Sequence, residues 1–167
     1  VAGACDPGSL RWLRGCLQQA YKDAFSPISP IWGFGATCPE GSGRIPLPAM
    51  SGDAAYVGNR NWALGLAPNL TSSSAAFLFL GRSDAFWFGI PLPWDLGFLG
   101  LPGCAMNVAF DIGLGGTFVT AAGARLALPI PQDPAFRDQD LFFQWLLYDP
   151  TTSSGLLTSP GFGARVK

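Results

Sequence analysis

Histidine is missing altogether from this chain of 167 residues, glutamate occurs once, at Glu40, lysine twice, at Lys22 and Lys167, and only 13% of the residues are charged. Each shortage removes a class of function. Without histidine nothing is present to activate Ser72, Ser73, Ser74, Ser153 or Ser154, so serine-type nucleophilic catalysis is not expected. Nor is there a Cys/His set for zinc, and the four cysteines, Cys5, Cys16, Cys38 and Cys104, contain no close C-x-x-C pair. Ten basic residues against eleven acidic ones, with no Lys/Arg stripe, give a net charge of −1 and argue against nucleic acid as a partner. Long apolar runs are lacking too. Leu96 to Phe110 is uncharged, but Gly97, Gly100, Pro102, Gly103 and Asn107 break it well short of the roughly 18–20 apolar residues that cross a bilayer. The expectation is a protein that is not an enzyme, needs no metal or cofactor, and does not span a membrane.

What is abundant points to architecture. Apolar residues make up 49% of the chain, in short runs punctuated by 22 glycines and 15 prolines, which suits stacked β-strands and excludes disorder. The length favours one domain. An even number of cysteines reads as two disulfides, hence a secreted protein, extracellular or at the cell surface. The chain has no initiating Met and no leader-like segment, and reads as a mature form whose leader, if any, has been removed.

Residues 1–26 differ from the rest. Asp6-Pro7 suits a helix start, and Leu10, Leu13, Leu17, Tyr21 and Ala24 recur at spacings of three and four, predicting an amphipathic helix over about Ser9 to Ala24. A Cys5–Cys16 bridge requires the leading residues to fold back along it. From residue 27 onward the texture is strands and turns, so 1–26 is expected to be a helical extension and 27–167 a β-sandwich domain. Ile28 to Ala36 reads as a strand in which Pro27 and Pro30 remove amide donors, suiting an edge or a connector. Alternation marks Ile45 to Ala49 and Trp62 to Leu66, while Ala75 to Leu80 and Leu141 to Tyr148 are apolar almost throughout, as in strands covered on both faces or facing a partner. Cys104 to Phe110 alternates, Gly113 to Gly116 reads as a turn, and Thr117 to Thr120 follows, predicting a hairpin. With Leu126, Leu128 and Ile130 as an inward row and Phe162 to Val166 as a last strand, the fold class is all-β: one antiparallel β-sandwich or flattened barrel of about eight strands, with a short N-terminal helix.

Three constellations carry candidate chemistry. Asp133, Asp138 and Asp140 lie close enough to gather calcium or act as paired acids, but the spacing matches no defined loop, and Asp133-Pro134 reads more simply as the cap of one helical turn. Nothing singles out a carboxylate pair for glycoside hydrolysis. Phe86, Trp87, Phe88 and Trp94, with Trp62 and Tyr56, offer flat faces for sugar rings, although most aromatics in an all-β protein fill the core. Phe86-Trp87-Phe88 must point to alternate faces of a strand, so at least one ring meets solvent or a partner. Asn69-Leu70-Thr71 is the sole N-x-[ST] sequon and marks a candidate glycosylated loop at Asn69.

The ordered set Trp32-Gly33-Phe34-Gly35-Ala36-Thr37-Cys38-Pro39, Pro102-Gly103-Cys104, Ile130-Pro131-Gln132-Asp133-Pro134, Phe142-Phe143-Gln144-Trp145 and Asp149-Pro150 resembles a family of small secreted bacterial β-sandwich proteins of unknown function. The likeness covers about Pro27 to Lys167. It implies a single antiparallel sandwich and a Cys38–Cys104 pair, and it transfers no catalytic residue. The segment holding Cys5 and Cys16 departs from that pattern.

Two functions are expected from these readings. In one, the chain is a homo-oligomeric structural subunit of a helical or head-to-tail fibre, in which the strand carrying Ile28, Ile31, Trp32 and Phe34 completes the sheet of another subunit. In the other, it is a monomeric secreted glycan-binding or adhesion module.

Overall fold

The computed structural model describes residues 31–167; the expected helix, Cys5, Cys16 and Ile28 lie outside them. In chain order the strands are β1 (Ile31–Phe34), β2 (Pro48–Ser51), β3 (Ala63–Leu66), β4 (Ala75–Gly81), β5 (Phe86–Trp87), β6 (Ile90–Pro91), β7 (Trp94–Asp95), β8 (Ala105–Met106), β9 (Ile112–Phe118), β10 (Ala124–Ala127), β11 (Asp140–Tyr148), β12 (Leu156–Thr158) and β13 (Gly161–Arg165). Six of them form one antiparallel sheet in the order β1-β13-β11-β4-β9, with β12 also paired to β11. A second sheet, β10-β3-β2, packs against it, and β5-β6 and β7-β8 are two small ribbons. The all-β class predicted by the turn-punctuated apolar runs is the observed one.

Strand alternation sorts the large sheet into two faces. Ala76 and Leu78 of β4, Phe143, Trp145 and Leu147 of β11, and Phe162 and Ala164 of β13 point inward and are buried against Trp62, Leu64 and Leu66 from the second sheet. Trp62 meets Phe143 edge-on at 5.8 Å between ring centres, and Phe143 stacks on Phe162 at 5.6 Å. Burying each such ring contributes about 2–3 kcal/mol. Trp62, considered above as a sugar platform, is thus a core residue at 2% exposure, because the strand it leads into is buried on both faces.

The outer face of the large sheet has its own covering. Trp32 lies over Gly163 and Phe34 over Gly161, and both meet the edge of Phe142, at 6.2 and 6.0 Å. A Cβ on Gly163 would come within 2.5 Å of the Trp32 ring, so the glycine is what lets the indole lie down. β1 therefore has a place in its own sheet, at the edge that the proline-flanked sequence predicts, with Ile31 paired to Ala164 and Phe34 to Gly161. Ile31, Trp32 and Phe34, expected at a subunit interface, are held here by contacts within the chain.

The Gly113–Gly116 turn and its hairpin are corrected. Those glycines lie inside β9, which pairs with β4, and Cys104 to Phe110 contributes only the two residues of β8. Leu78 pairs with Gly115 and Phe79 with Gly113, which leaves Leu114 as the extra residue of a bulge. Glycine at position 116 also makes room for the Phe77 ring, 2.8 Å from where a Cβ would stand. The glycines serve close approach and a bulge rather than reversal.

Candidate functional site

Residues 82–111, between β4 and β9, run across the outer face of the large sheet and are pinned there at their C-terminal half. Gln144, fully buried on β11, accepts from Asn107 N at 2.8 Å and donates to the carbonyls of Ala105 and Ser159, both at 2.8 Å. Asn107 in turn accepts from Ala36 N at 2.9 Å and donates to Ala36 O at 2.6 Å. The Cys38–Cys104 disulfide, buried and closing a sequence separation of 66 residues, joins the same segment to the chain after β1. Phe110 stacks on Phe79 at 4.4 Å with the planes 9° apart.

Upon this base the segment presents a row of aromatics. Phe98 meets Trp94 at 4.9 Å, Trp94 meets Trp87 at 6.4 Å, and Trp87 meets Phe88 at 5.3 Å, with Phe110 behind Trp87 at 6.4 Å. Trp87 and Trp94 are half-buried; Phe98 and Phe88 project at 63% and 89% exposure. The local folding is readable. Leu96 is buried beneath a 3-10 turn, Gly97–Leu99, whose start is held by Asp95 Oδ1 accepting from Gly97 N at 2.7 Å and whose end is the left-handed Gly100 at φ 78°. That turn pushes Phe98 outward.

The other end of the row is a two-residue hairpin. Trp87 pairs with Ile90, so Phe88 and Gly89 are its central residues, and both have positive φ, 47° and 82°. Such turns ordinarily take Asn-Gly. A phenylalanine here has a left-handed backbone, costing about 1–2 kcal/mol, and also holds its ring almost wholly in water. Neither feature serves stability, and strain of this kind gathers at functional positions.

A second cluster is polar. Glu40, the lone glutamate and 3% exposed, accepts from the backbone N–H groups of Thr71 (3.0 Å), Ser72 (3.3 Å) and Ser73 (2.8 Å) and from Ser42 Oγ (2.8 Å). Asp149, also buried, accepts from Gly41 N (2.9 Å), Ser72 Oγ (2.8 Å), and Thr151 N and Oγ1 (2.9 and 2.7 Å). Burial pushes both carboxyls up, but these hydrogen bonds outweigh it and hold each below its ordinary value. Ser72 links the two. With every oxygen occupied by donors from the chain, the pair clamps the 40–44 and 70–74 loops to the turn after β11.

The acidic segment disperses. Asp133 caps the 3-10 turn Pro134–Phe136 by accepting from Ala135 N at 2.9 Å, as the Asp-Pro sequence predicts, while Asp140 forms a two-bond ion pair with Arg165, 2.7 Å each. That pairing holds the Asp140 carboxyl below its usual range. Among the described residues no group of three or more His, Cys, Asp or Glu is arranged to hold a metal ion. Asn69 is half-exposed, but its Nδ2 donates to Ile45 O at 2.8 Å. Tyr56 is exposed, away from any ring contact found among the described residues.

No protein-family model matches the chain, and no curated protein matches it. The site therefore stands on its own geometry.

Sequence reasoning found Phe86, Trp87, Phe88 and Trp94 but missed Phe98, whose available signal was its place between Gly97 and Gly100, the marks of a turn. It also missed Glu40 and Asp149. A sole glutamate in a charge-poor chain was the available clue.

Proposed function

We propose that this domain is a secreted, non-catalytic glycan-binding module whose row Phe88-Trp87-Trp94-Phe98 stacks on the apolar faces of sugar rings. The observation that carries this reading is Phe88, an exposed ring kept on a strained turn that a polar residue would fill better. Secretion is part of the proposal and is supported by the buried Cys38–Cys104 bond, since such bonds persist in oxidising compartments. The test is affinity electrophoresis and calorimetry against a panel of soluble polysaccharides. The wild type is expected to bind at least one of them, and the Phe88→Ala/Phe98→Ala variant, still folded by circular dichroism, to bind none. Unchanged binding by that variant, or no binding by the wild type, overturns the reading.

A fibre is the second reading, favoured by one observation. β1 and β9 are the two edges of the large sheet and neither carries a charge or a proline, the devices that ordinarily blunt an edge. Growth by exchange would trade the β1–β13 pairing within the chain for the same pairing between copies, giving a head-to-tail homo-oligomer. Electron microscopy of concentrated protein checks this. Regular fibres that vanish in Trp32→Asp/Phe34→Asp would support exchange, and a monomer at all concentrations would refute it.

A further inference from the structure

At the Phe88 end of the row a cleft of about 320 Å³ is lined by Arg82, Ser83 and Asp111 beside Trp87 and Phe88. Resting on the glycan-binding reading, we infer that this cleft reads the hydroxyl groups of one sugar in a neutral, single polysaccharide chain, with Arg82 and Asp111 as its hydrogen-bonding pair.

The polar groups are available for that task. The Arg82 side chain is 90% exposed, and its only carboxylate neighbour among the described residues is Asp111, reached through Nε at 3.5 Å. The forked end of the guanidinium therefore faces solvent with its donors free. Asp111 Oδ2 accepts from Arg82 N at 3.0 Å, and its other oxygen takes no hydrogen bond among the described residues. A donor fork and an acceptor oxygen side by side match two adjacent hydroxyls, each of which both donates and accepts. The Trp87 indole N–H is buried and unpartnered, so packing alone holds that ring at the cleft wall.

Ring orientation selects the form of the ligand. Successive rings are inclined by 60° from Phe88 to Trp87, 40° from Trp87 to Trp94 and 32° from Trp94 to Phe98. A crystalline sugar surface is flat and meets one ring of such a row at a time, whereas a separate chain rotates its sugars along its length and can meet several. Charge selects the chemistry. Residues 82–111 carry Asp84, Asp95 and Asp111 against Arg82 alone, and an anionic polysaccharide would meet net repulsion there.

The experiment uses calorimetry and pull-down with three kinds of probe: soluble hydroxyethylcellulose, xylan and galactomannan as neutral chains, microcrystalline cellulose as a flat surface, and polygalacturonate as an anion. We expect a neutral soluble chain to bind, the crystalline and anionic probes to bind at least tenfold more weakly, and Arg82→Ala and Asp111→Asn each to cost about tenfold in Kd for the neutral chain. If Phe88→Ala abolishes binding while Arg82→Ala and Asp111→Asn leave it unchanged, the cleft is not a subsite and the stacking reading survives. Preference for microcrystalline cellulose or polygalacturonate overturns the selectivity in the same way. Absence of binding to every probe removes both. Melting temperatures of the three variants within a few degrees of wild type are the control for folding.

Discussion

Replacing Phe88 by asparagine should make the protein more stable and less able to bind. Phe88 has φ 47°, a conformation that costs a residue bearing an ordinary Cβ about 1–2 kcal/mol and asparagine much less. At 89% exposure the ring gives little back by burial. Its edge-on contact with Trp87, at 5.3 Å between centres, is worth about 0.5 kcal/mol at so exposed a site. The balance is a gain of about 0.5–1 kcal/mol, which for a domain of this size raises Tm by roughly 1–4 °C. Thermal unfolding by calorimetry reads the first half of the prediction and polysaccharide titration the second. A fall in Tm of similar size would show that the ring supports the turn rather than burdening it. Binding undiminished in a stabilised Phe88→Asn would mean that the strain serves something other than stacking.

Acid should unfold the protein through Glu40 and Asp149. Both carboxyls titrate below their ordinary values of 4.5 and 3.8 when folded, so the unfolded chain binds more protons; their contribution is complete above about pH 5 and is lost as pH falls through the folded values. Glu40→Gln should cost about 2–3 kcal/mol at neutral pH and flatten the acid limb of a stability-against-pH curve, and an unchanged acid limb would contradict the clamp. Cys38→Ser/Cys104→Ser should lower stability by about 4 kcal/mol in denaturant titrations, from the loop the bond closes, with a loss under 1 kcal/mol counting against that role. Gly163→Ala would place a methyl 2.5 Å from the Trp32 ring and should cost about 1–3 kcal/mol, with hydrogen exchange rising first in β1; protection unchanged there would show that the indole is not seated as described.

Local chemistry was legible in the sequence where a residue acts on its neighbours. Asp133-Pro134 announced its capped turn, and the apolar runs at 75–80 and 141–148 announced the two central strands, because capping and a short unbroken apolar run are features of a few neighbouring residues. What depended on distant partners was not legible. Gly113 to Gly116 looks like a turn until the Phe77 ring and the β9 bulge at Leu114 are known to need those positions. Trp32 looks like a side chain in search of a neighbour until Gly163, more than a hundred residues later, is found to leave room for it. In the candidate site, the motif at 86–88 implied at least one exposed ring, yet that Phe86 and Phe88 are both exposed while Trp87 is half-buried depends on the hairpin pairing of Trp87 with Ile90.

Gln144, Asn107 and the Cys38–Cys104 bond hold the C-terminal half of the 82–111 excursion at points that do not touch the Phe88 turn. Grip and tip are thus mechanically separate, and the tip can be rewritten while the grip is kept. New loops set in place of Phe88 and Gly89 would inherit a rigid mount, which makes the domain a natural frame for display libraries, with changed specificity reached at the turn while Leu96 and the core behind it are kept.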